Sequence, residues 1–464
     1  MPLLTPVAST IPTALAQGLG NPVAVGSPPS PPPGSKIPPL VGADLRVPTR
    51  QGDRVYGNLD HAASTPALVA VKRAVDRTLE TYASVHRGAG WASQVTSTWY
   101  ERARDEVAGF VGARATDEVV FTRTTTDSWN LLARALPEDA LVFVFDSEHH
   151  STLLPWQAKR TVRLPVPGGA EDAVALLDHA LDAHPAAVRL VVLTAASNVT
   201  GEIWPVARFA ELAHSHGARI AVDAAQLAAH RAVDLAAWDA DYVAFSGHKV
   251  YAPFGAGVLA GRQDWLDAGD PYLAGGGATR SVSQLSTSWQ SGPARHEGGS
   301  PNVVGAVALA AAGATLALNR TALEAHETRL LDRLRAGLAA VPGTRQLSIF
   351  DEDADRVGVV TFTVPGYDPS LVSQVLSWEQ GIGVRDGRFC AHLLVDRLLG
   401  ARQPLTTAVR ASIGLGTTEE AVDRLVAGVR RLVESGPLDE WTHHASGWRL
   451  ATDPRDAGAA PAPW

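Results

Sequence analysis

A lysine at the end of a predicted strand is the first candidate for chemistry. Residues 242–245 are apolar or aromatic and predict a buried strand, which the sequence Ser-Gly-His-Lys follows at 246–249. In an open parallel sheet, ligands bind outside the carboxyl ends of the strands. Burial at such a position would lower the pKa of Lys249 and make its amine a nucleophile toward an aldehyde. Taken alone, the same pattern also fits a surface lysine that follows a strand.

A carboxylate at the end of an earlier predicted strand supports the chemical interpretation. Residues 219–223 read Arg-Ile-Ala-Val-Asp and predict a second buried strand that ends in Asp223. An anion at this position can keep the nitrogen of a pyridinium ring protonated, so that the ring acts as an electron sink. The lysine and the carboxylate together predict a site for a pyridine cofactor that carries an aldehyde.

The segments VDAAQ at 222–226 and SGHK at 246–249 resemble those of the fold-type I pyridoxal 5'-phosphate (PLP) enzymes. Within these enzymes they resemble the class V aminotransferase group, which includes cysteine desulfurases and selenocysteine lyases. The resemblance extends over about residues 55–435. It implies PLP as the cofactor, bound covalently to Lys249, with Asp223 at the ring nitrogen.

Other segments that resemble this group imply further cofactor contacts. The sequence RTTTDS at 123–128 follows a predicted strand and enters a helix predicted from about 129 to 136, where hydroxyl and free N–H groups could form an anion site. The same hydroxyls also fit a helix cap. The group usually has glycine where Thr124 and Ser128 stand, so the path of this loop departs from the pattern. The implied cofactor-binding residues are Thr125, Thr126, His149, Asn198, Asp223, Gln226, Ser246, His248, Lys249 and Ser300.

Three further residues have roles that the resemblance implies. EHHSTLLPWQ at 148–157 resembles a motif whose first histidine stacks on the pyridine ring, so His149 is expected to stack there and to relay protons. Asn198 would bond the substrate carboxylate beside the phenolic oxygen of PLP. Arg410, in a strand predicted at 408–412, would clamp the same carboxylate with two hydrogen bonds. Taken alone, Arg410 also fits a surface position on a strand.

Cys390 is the single cysteine and the candidate for a second chemical step. It follows a loop that contains glycine and arginine, and desulfurases with a short cysteine loop carry R-x-G-x-x-C-A at this place. Arg385 and Arg388 would favour the thiolate, which is the nucleophilic form. Two departures leave a small buried cysteine open as the alternative: Arg388-Phe389 stands where His-His is common, and Leu-Leu-Val at 393–395 replaces a proline-containing run.

Two segments imply that a second copy of the chain completes the site. VHRG at 85–88 resembles a segment at the substrate mouth, partly across a dimer interface, which implies that His86 and Arg87 bind substrate. By themselves, the two residues also fit a polar loop. EGGSPN at 297–302 resembles a motif whose hydroxyl residue, here Ser300, reaches the phosphate of the neighbouring subunit. The resemblance therefore implies a homodimer with shared active sites.

Alternating strand and helix patterns, with strands predicted at 141–145, 189–194 and 219–223, predict an α/β fold with right-handed crossovers and a mainly parallel sheet. The resemblance implies a fold-type I PLP transferase, in which helices flank the sheet of a large domain and a smaller α/β domain follows. A length of 464 residues also favours two domains. The predicted division is a disordered, proline-rich arm at 1–45, a large PLP-binding domain at 46–320, a small domain at 321–445 and a loosely ordered tail at 446–464. Residues around 46–66 are candidates to pack against the small domain.

Composition excludes several functional classes. A net charge of −8 argues against nucleic acid as a main partner, and a single cysteine permits no internal disulfide. The most apolar run, at 303–318, is short for a membrane span and suits a packed helix. No lysine or arginine precedes Lys36, and Pro6 and Pro12 interrupt the first apolar segment, so export is not expected. We therefore predict a cytoplasmic protein with no membrane partner.

The activity implied by the resemblance is PLP-dependent conversion of L-cysteine or selenocysteine to alanine and sulfur or selenium, through a persulfide on Cys390. A sulfur-acceptor protein is a candidate partner, and no metal is assigned. The catalytic residues are then Lys249, Cys390 and His149. Transamination, epimerisation or C–S lysis with a non-catalytic Cys390 stays open as an alternative. A non-catalytic PLP-fold binding protein is a third hypothesis, against which the set of Lys249, Asp223 and Arg410 argues.

Overall fold

The computed structural model describes residues 37–400, 406–445, 447–455, 458 and 462–463. Its strands are β1 (Arg46–Thr49), β2 (Gly52–Val55), β3 (Gly57–Asn58), β4 (Asp117–Thr122), β5 (Leu141–Phe145), β6 (Arg160–Leu164), β7 (Arg189–Thr194), β8 (Arg219–Asp223), β9 (Tyr242–Ser246), β10 (Gly257–Arg262), β11 (Thr279–Val282), β12 (Thr287–Trp289), β13 (Arg345–Gln346), β14 (Val359–Thr363), β15 (Ile382–Gly383), β16 (Arg385–Gly387), β17 (Ala408–Ser412), β18 (Trp441–His444) and β19 (Gly447–Leu450). Its helices are α1 (Val69–Glu80), α2 (Trp91–Phe110), α3 (Thr125–Ala135), α4 (His150–Leu153), α5 (Ala170–Ala183), α6 (Val206–Ser215), α7 (Gln263–Ala268), α8 (Val303–Ala339), α9 (Pro369–Val375), α10 (His392–Leu399) and α11 (Glu419–Ser435).

A seven-stranded sheet forms the centre of the larger part of the molecule. Its strands lie in the order β4-β10-β9-β8-β7-β5-β6, and only β10 runs against the others. Every residue of β5 and β9 is buried, as expected for strands that helices cover on both faces. The mainly parallel α/β sheet is therefore confirmed, and the strands predicted at 141–145, 189–194 and 219–223 have those bounds.

Helix α3 begins four residues earlier than the sequence pattern predicts. Thr124 has extended backbone angles, and its hydroxyl accepts a hydrogen bond from the Asp127 N–H at 3.4 Å, so Thr124 is the N-terminal cap. Asp127 in the first turn adds a favourable interaction with the helix dipole. The predicted start near residue 129 is wrong because this cap closes the first turn earlier. Thr125 and Thr126 consequently lie in the first turn of the helix.

Helix α8 is the longest in the described part of the chain, with 37 residues. By length and composition it could cross a bilayer, but Leu309, Leu316 and Leu330 are among its many residues buried inside the protein. It packs against α1, α2 and α11. A helix that is apolar around most of its circumference fits such a position in a core. The packed helix predicted at 303–318 is confirmed.

A second sheet and a second hydrophobic cluster lie in the smaller part of the molecule. The antiparallel strands β13-β14-β17-β16 form this sheet, on which α9 packs. Strand β3 pairs in parallel with β15, and Leu59 joins the second cluster, so residues near 46–66 do contact the C-terminal part. The division into a large and a small domain stays a proposal, and its predicted boundary near residue 320 falls inside the unbroken helix α8.

The predicted N-terminal arm at 1–45 lies outside the described residues up to position 36. The rest of that segment is attached to the fold. Leu40 is buried and forms a bridge with Leu68, and the Val41 N–H donates to the Ala67 oxygen at 2.8 Å. Burial of Leu40 at the start of α1 explains why ordered structure begins before residue 46.

The tail predicted to be loosely ordered from residue 446 contains an ordered strand. Strands β18 and β19 form an antiparallel hairpin, in which the half-buried Trp441 and Trp448 pack against the second hydrophobic cluster. The neighbouring Asp439 carboxylate accepts a hydrogen bond from Trp378 Nε1 at 2.8 Å. The prediction is therefore wrong for residues 447–450, because two indole side chains fix the hairpin to the small domain.

A buried ion pair joins the loop after β7 to the segment before β14. Glu202 is fully buried, and Arg356 Nη1 lies 2.9 Å from its carboxylate. The N–H groups of Ile349 and Phe350 donate to the same carboxylate at 2.8 and 2.7 Å. The loop after β7 carries Asn198, so this pair fixes a segment that contributes to the candidate site.

Replacing Glu202 by alanine should lower the free energy of unfolding by about 3–5 kcal/mol, because Arg356 and two N–H groups would stay buried without their partner. Urea denaturation monitored by tryptophan fluorescence measures the change. The matched control is Glu211→Ala on the exposed face of α6, which should change stability by no more than about 0.5 kcal/mol. A similarly small effect of Glu202→Ala would contradict the role of the ion pair.

Candidate active site

A cavity of about 190 Å³ opens at the carboxyl ends of the central strands. Its walls come from the loops after β4, β5, β7, β8 and β9, from the loop between β16 and α10, and from β17. The following predicted site residues line it: Thr125, Thr126, His149, Asn198, Asp223, Gln226, Ser246, His248, Lys249, Cys390 and Arg410. Residues that are far apart in the sequence therefore form one site, as the positions of the strand ends predict.

Lys249 reaches the cavity through a tight turn after β9. The Gly247 N–H donates to the Ala256 oxygen at 2.8 Å, and a Cβ at Gly247 would lie 2.7 Å from that oxygen, so the turn requires glycine. Burial lowers the pKa of Lys249 to about 8; the Asp223 charge opposes this decrease and the Arg410 charge adds to it. About a tenth of the amine is therefore neutral, and nucleophilic, at pH 7.

Asp223 ends β8 as a buried carboxylate with fixed orientation. Its Oδ1 accepts a hydrogen bond from the Ala225 N–H at 2.9 Å, and its Oδ2 accepts one from the Thr152 hydroxyl at 2.5 Å. The two donors fix the orientation of the carboxylate, which lines the cavity. This is the anion that a protonated pyridine nitrogen requires.

His149 lines the cavity as a neutral imidazole. Burial, with a smaller contribution from the charge of Lys249, lowers its pKa to about 3. The Ser151 N–H donates to Nδ1 at 3.1 Å, which leaves the ring proton on Nε2. A neutral, flat ring with this tautomer can stack on an aromatic cofactor and exchange a proton through Nε2.

Hydroxyl groups converge at the start of α3. The Thr125 N–H donates to Ser246 Oγ at 2.7 Å, and the two side-chain oxygens are 2.7 Å apart. Thr126 and His248 line the same end of the cavity. The N-terminus of α3 adds the positive end of the helix dipole. These groups form an anion site suited to a phosphate.

Arg410 stands at the other end of the cavity. Its Nη1 donates to the Asn198 oxygen at 3.0 Å, and its Nη2 donates to Asp60 Oδ1 at 3.1 Å. Burial lowers the pKa of Arg410 to about 10, so the guanidinium is still charged at neutral pH. Arg385 pairs with Arg410 across β16 and β17 and also lines the cavity. This end is therefore cationic and suits a carboxylate.

Cys390 is exposed on the cavity wall and is not the buried residue of the alternative interpretation. Its backbone is left-handed, with φ of 55°, and its carbonyl accepts a hydrogen bond from the His150 N–H at 2.7 Å. Arg385 lies at the same cavity. Arg388 instead donates to the Thr406 oxygen at 3.0 Å, so the expectation that it acts on the thiol is not supported.

The cavity fits PLP by the chemistry of its donors and acceptors. The anion site at α3 suits the phosphate, Asp223 suits the ring nitrogen, and Lys249 suits the aldehyde. Gln226 and Asn198 also line the cavity, and the Gln226 Nε2 donates to the Ala62 oxygen at 2.8 Å. The resemblance implies that these two amides would lie near the phenolic oxygen of PLP.

Comparison with known proteins gives the family. The model of the aminotransferase class-V family matches residues 57–425. A cysteine desulfurase of Dickeya dadantii is 37% identical over 389 residues, which are 81% of this chain and 91% of that protein. The apo structure of a cysteine desulfurase from Thermococcus onnurineus has a TM-score of 0.74 at 30% identity and covers 82% of this chain and 95% of its own. The cysteine desulfurase CsdA from Escherichia coli, in an S-sulfonic acid structure, has a TM-score of 0.70 at 34% identity with the same coverage.

This chain belongs to the class V aminotransferase family. It is therefore a PLP-dependent enzyme of the fold type that the sequence predicts. The cavity around Lys249 is the only site among the described residues that combines a buried lysine with a carboxylate and an anion-binding helix start.

His86, Arg87 and Ser300 do not line this cavity. His86 Nε2 lies 2.8 Å from Glu101 Oε1, and Arg87 Nη2 donates to the Gly299 oxygen at 3.3 Å. Both residues line a second cavity, and Ser300 is an exposed residue at its edge. Within one chain of this class V enzyme, the structure does not bring these three residues to Lys249. Their predicted role requires a second copy.

Sequence reasoning missed several residues that support the site. Asp60 holds Arg410, and Thr152 holds Asp223. Phe389 lies against Arg410, with the guanidinium carbon 5.0 Å from the ring centroid. Asp60 and Phe389 stand in segments that the sequence analysis singled out. No pattern in the sequence indicates where the Thr152 hydroxyl points.

The apo-protein should show a Lys249 amine that reacts in its neutral form with a midpoint near pH 8. Below this pH the amine is protonated and unreactive, so acylation by acetic anhydride should rise with pH and level off above it. Peptide mass spectrometry measures the rate at Lys249, with the exposed Lys72 in the same digest as the reagent reference. Asp223→Asn should shift the midpoint downward, because it removes the charge that raises the pKa of Lys249. A midpoint near the ordinary lysine value of about 10.4 would contradict burial as the cause.

Proposed function

We propose that this protein is a PLP-dependent cysteine desulfurase, which converts L-cysteine to alanine and transfers the sulfur to Cys390. The observation that carries the proposal is the exposed Cys390 on the wall of the cavity that contains Lys249 and Arg410. The relatives named cysteine desulfurase support it. Selenocysteine is a second candidate substrate, because the same thiolate could attack selenium.

The substrate carboxylate binds at the cationic end of the cavity. Arg410 offers a guanidinium whose pKa stays above neutral pH, and Arg385 adds a second positive charge beside it. The Asn198 amide donates through its second N–H. Because Asp60 and the Asn198 carbonyl already hold two nitrogens of Arg410, the guanidinium plane is fixed before the substrate arrives. This preorganisation reduces the entropy lost on binding.

Proton transfer is assigned to Lys249 and His149. PLP, when bound, supplies an electron sink for the bonds at the substrate Cα. The Lys249 amine, once free, takes the proton from Cα, for which a pKa near 8 is suitable. His149 is neutral and carries its proton on Nε2, so it can deliver or accept a proton above the ring. Asp223, whose carboxylate is oriented by Thr152 and the Ala225 N–H, would lie at the ring nitrogen of PLP.

Sulfur transfer is assigned to Cys390. The thiolate attacks the sulfur of the bound cysteine, the bond between that sulfur and Cβ breaks, and the electrons of this bond stay with the substrate carbon. Protonation of that carbon gives alanine, and Cys390 becomes a persulfide. Atoms and electrons balance without an external oxidant, because the transferred sulfur loses two electrons when it enters the persulfide and the substrate Cβ gains them.

Replacing Cys390 by alanine should reduce alanine formation from L-cysteine on the order of 10²-fold or more and abolish the persulfide. Amino-acid analysis and intact-protein mass spectrometry give the two readouts. Borohydride reduction should still leave a pyridoxyl group on Lys249 in this variant, whereas Lys249→Ala should lose it. Unchanged release of alanine and sulfide by Cys390→Ala would favour the alternative of other PLP chemistry, namely transamination, epimerisation or C–S lysis. No turnover of any amino acid by the PLP-loaded wild type would favour a binding protein.

We also propose that the active enzyme is a homodimer with shared active sites. His86 and Arg87 line a second, open cavity, as do Gly299 and Pro301 on either side of Ser300. The ligands that the resemblance implies for the three predicted residues are a substrate and a phosphate. If a second copy of the chain placed this cavity against the Lys249 cavity, both the substrate and the PLP phosphate would lie within reach of these residues. Exposure of Arg87 at the edge of that cavity supports this arrangement.

Hybrid dimers test the shared sites. A hybrid of Arg87→Ala and Lys249→Ala subunits, purified through two different affinity tags, should regain activity that both parent variants lack. One of its two sites then combines an intact Lys249 with an intact Arg87 from the partner. The matched control is a hybrid of Lys249→Ala and Cys390→Ala, which should stay inactive because these two residues line one cavity of the same chain. Equal recovery in both hybrids, or in neither, would overturn the proposal.

A sulfur-acceptor protein and a cytoplasmic location complete the proposed function. The exposed Cys390 supports the acceptor, because a persulfide there could be attacked by an external thiol. The presence of one cysteine in the sequence supports a reducing compartment.

A further inference from the structure

Phe389, the residue before Cys390, is buried against the substrate end of the cavity. Its side chain is 4% exposed and belongs to the large hydrophobic cluster, although its backbone is left-handed with φ of 52°. Left-handed backbone is uncommon for a residue with a large side chain. The surrounding contacts therefore hold Phe389 in this conformation against a local preference for another.

The ring of Phe389 lies under the guanidinium of Arg410. The guanidinium carbon is 5.0 Å from the ring centroid, within the range of a cation–π interaction. Arg410 is 2% exposed, and its Nε makes no hydrogen bond within the described part of the chain. Hydrogen bonds to Asn198 and Asp60 hold only the two terminal nitrogens. The ring therefore provides the contact that fixes the flat face of the guanidinium.

The carbonyl of Phe389 holds the second residue of the carboxylate site. It accepts a hydrogen bond from Asn198 Nδ2 at 2.8 Å, in a buried position. An amide nitrogen has two hydrogens, so this bond fixes the orientation of the amide and leaves one N–H for a ligand. Phe389 thus contacts both proposed carboxylate ligands, one through its side chain and the other through its backbone.

We propose that Phe389 is a positioning residue for recognition of the substrate α-carboxylate. Its ring orients Arg410 and its carbonyl orients Asn198, so the residue beside the sulfur-accepting Cys390 also sets the preference for ligands that carry a carboxylate. The inference rests on the proposed function for the roles of Arg410 and Asn198. It does not depend on sulfur transfer, because every α-amino acid presents the same carboxylate.

The arrangement links the carboxylate site to the position of the thiol. Phe389 and Cys390 are consecutive left-handed residues, and each carbonyl is held by one hydrogen bond, from Asn198 and from the His150 N–H. A displacement of this loop would remove the ring from Arg410 and move Cys390 at the same time. The enzyme consequently forms its carboxylate site fully only when the cysteine loop is docked.

The test compares two ligands on the PLP-loaded protein. L-alanine carries the carboxylate and ethylamine lacks it, and spectral titration gives a dissociation constant for each. Phe389→Leu keeps an apolar side chain but removes the ring, so the preference for L-alanine over ethylamine should fall about 3- to 30-fold. Phe389→Tyr keeps the ring and should keep the preference. With L-cysteine as substrate, KM of Phe389→Leu should rise more than kcat falls.

Phe350→Leu is the matched control. Phe350 is 8% exposed in the same hydrophobic cluster, with its ring against Trp204, and it does not line the cavity. This variant loses an aromatic ring from the core and should leave the ligand preference unchanged. An unchanged preference in Phe389→Leu, or an equal fall in Phe350→Leu, would show that Phe389 only fills the core.

Fluorinated phenylalanine at position 389 tests the same interaction in a protein of nearly native shape. Successive fluorine atoms weaken the negative face of the ring, so the preference for L-alanine should fall stepwise with their number. This series answers the question even where Phe389→Leu fails to bind PLP. A preference independent of fluorination would overturn the role of the ring. Loss of sulfur transfer with an intact series would count against the proposed desulfurase activity alone.

Discussion

Burial of the Lys249 amine close to the Asp223 carboxylate is the constraint on which the site depends. Burial lowers the pKa of Lys249 to about 8, and the charge of Asp223 opposes this decrease. Two hydrogen bonds, from the Thr152 hydroxyl and the Ala225 N–H, fix the orientation of the Asp223 carboxylate. The nearby Glu148 is completely buried, and this burial raises its pKa well above the ordinary range. The Glu148 carboxylate accepts a hydrogen bond from the Thr194 N–H at 3.0 Å, but the effect of its burial outweighs this donor.

The sheet determines which residues can meet at this site. Strands β7, β8 and β9 are adjacent and parallel, with Thr194 beside Asp223 and Asp223 beside Ala244 in the register. Their following loops therefore emerge at one edge, and side chains from three distant segments converge without a long connection. The last contributions, from Arg410 and Cys390, come from the smaller sheet and its loop. The buried Glu202–Arg356 pair fixes the segment that carries Asn198 against that part of the molecule.

Much of the fold and the site could be predicted because the relevant signals are local. Apolar runs bounded by polar loops give the strand bounds at 141–145 and 219–223, and motif residues such as Lys249 and Asp223 stand at strand ends. Features that depend on tertiary contacts could not be predicted. The hairpin of β18 and β19 is stable only because Trp441 and Trp448 find the surface of the small domain. The direction of the Thr152 hydroxyl depends on where α4 lies relative to β8.

The loop before α3 shows how the structure accommodates side chains where the family usually has glycine. A Cβ at Gly257, on the neighbouring strand β10, would lie 2.7 Å from the backbone of Thr124, so glycine on the opposite strand provides the space for the loop. The Ser128 hydroxyl is buried and donates to the Val258 oxygen at 2.9 Å, so its polar group is satisfied inside the core. Thr124 caps the helix, as described above. The two departures thus preserve the path that brings Thr125 to Ser246, because one side chain caps the helix and the other bonds to the strand beneath it.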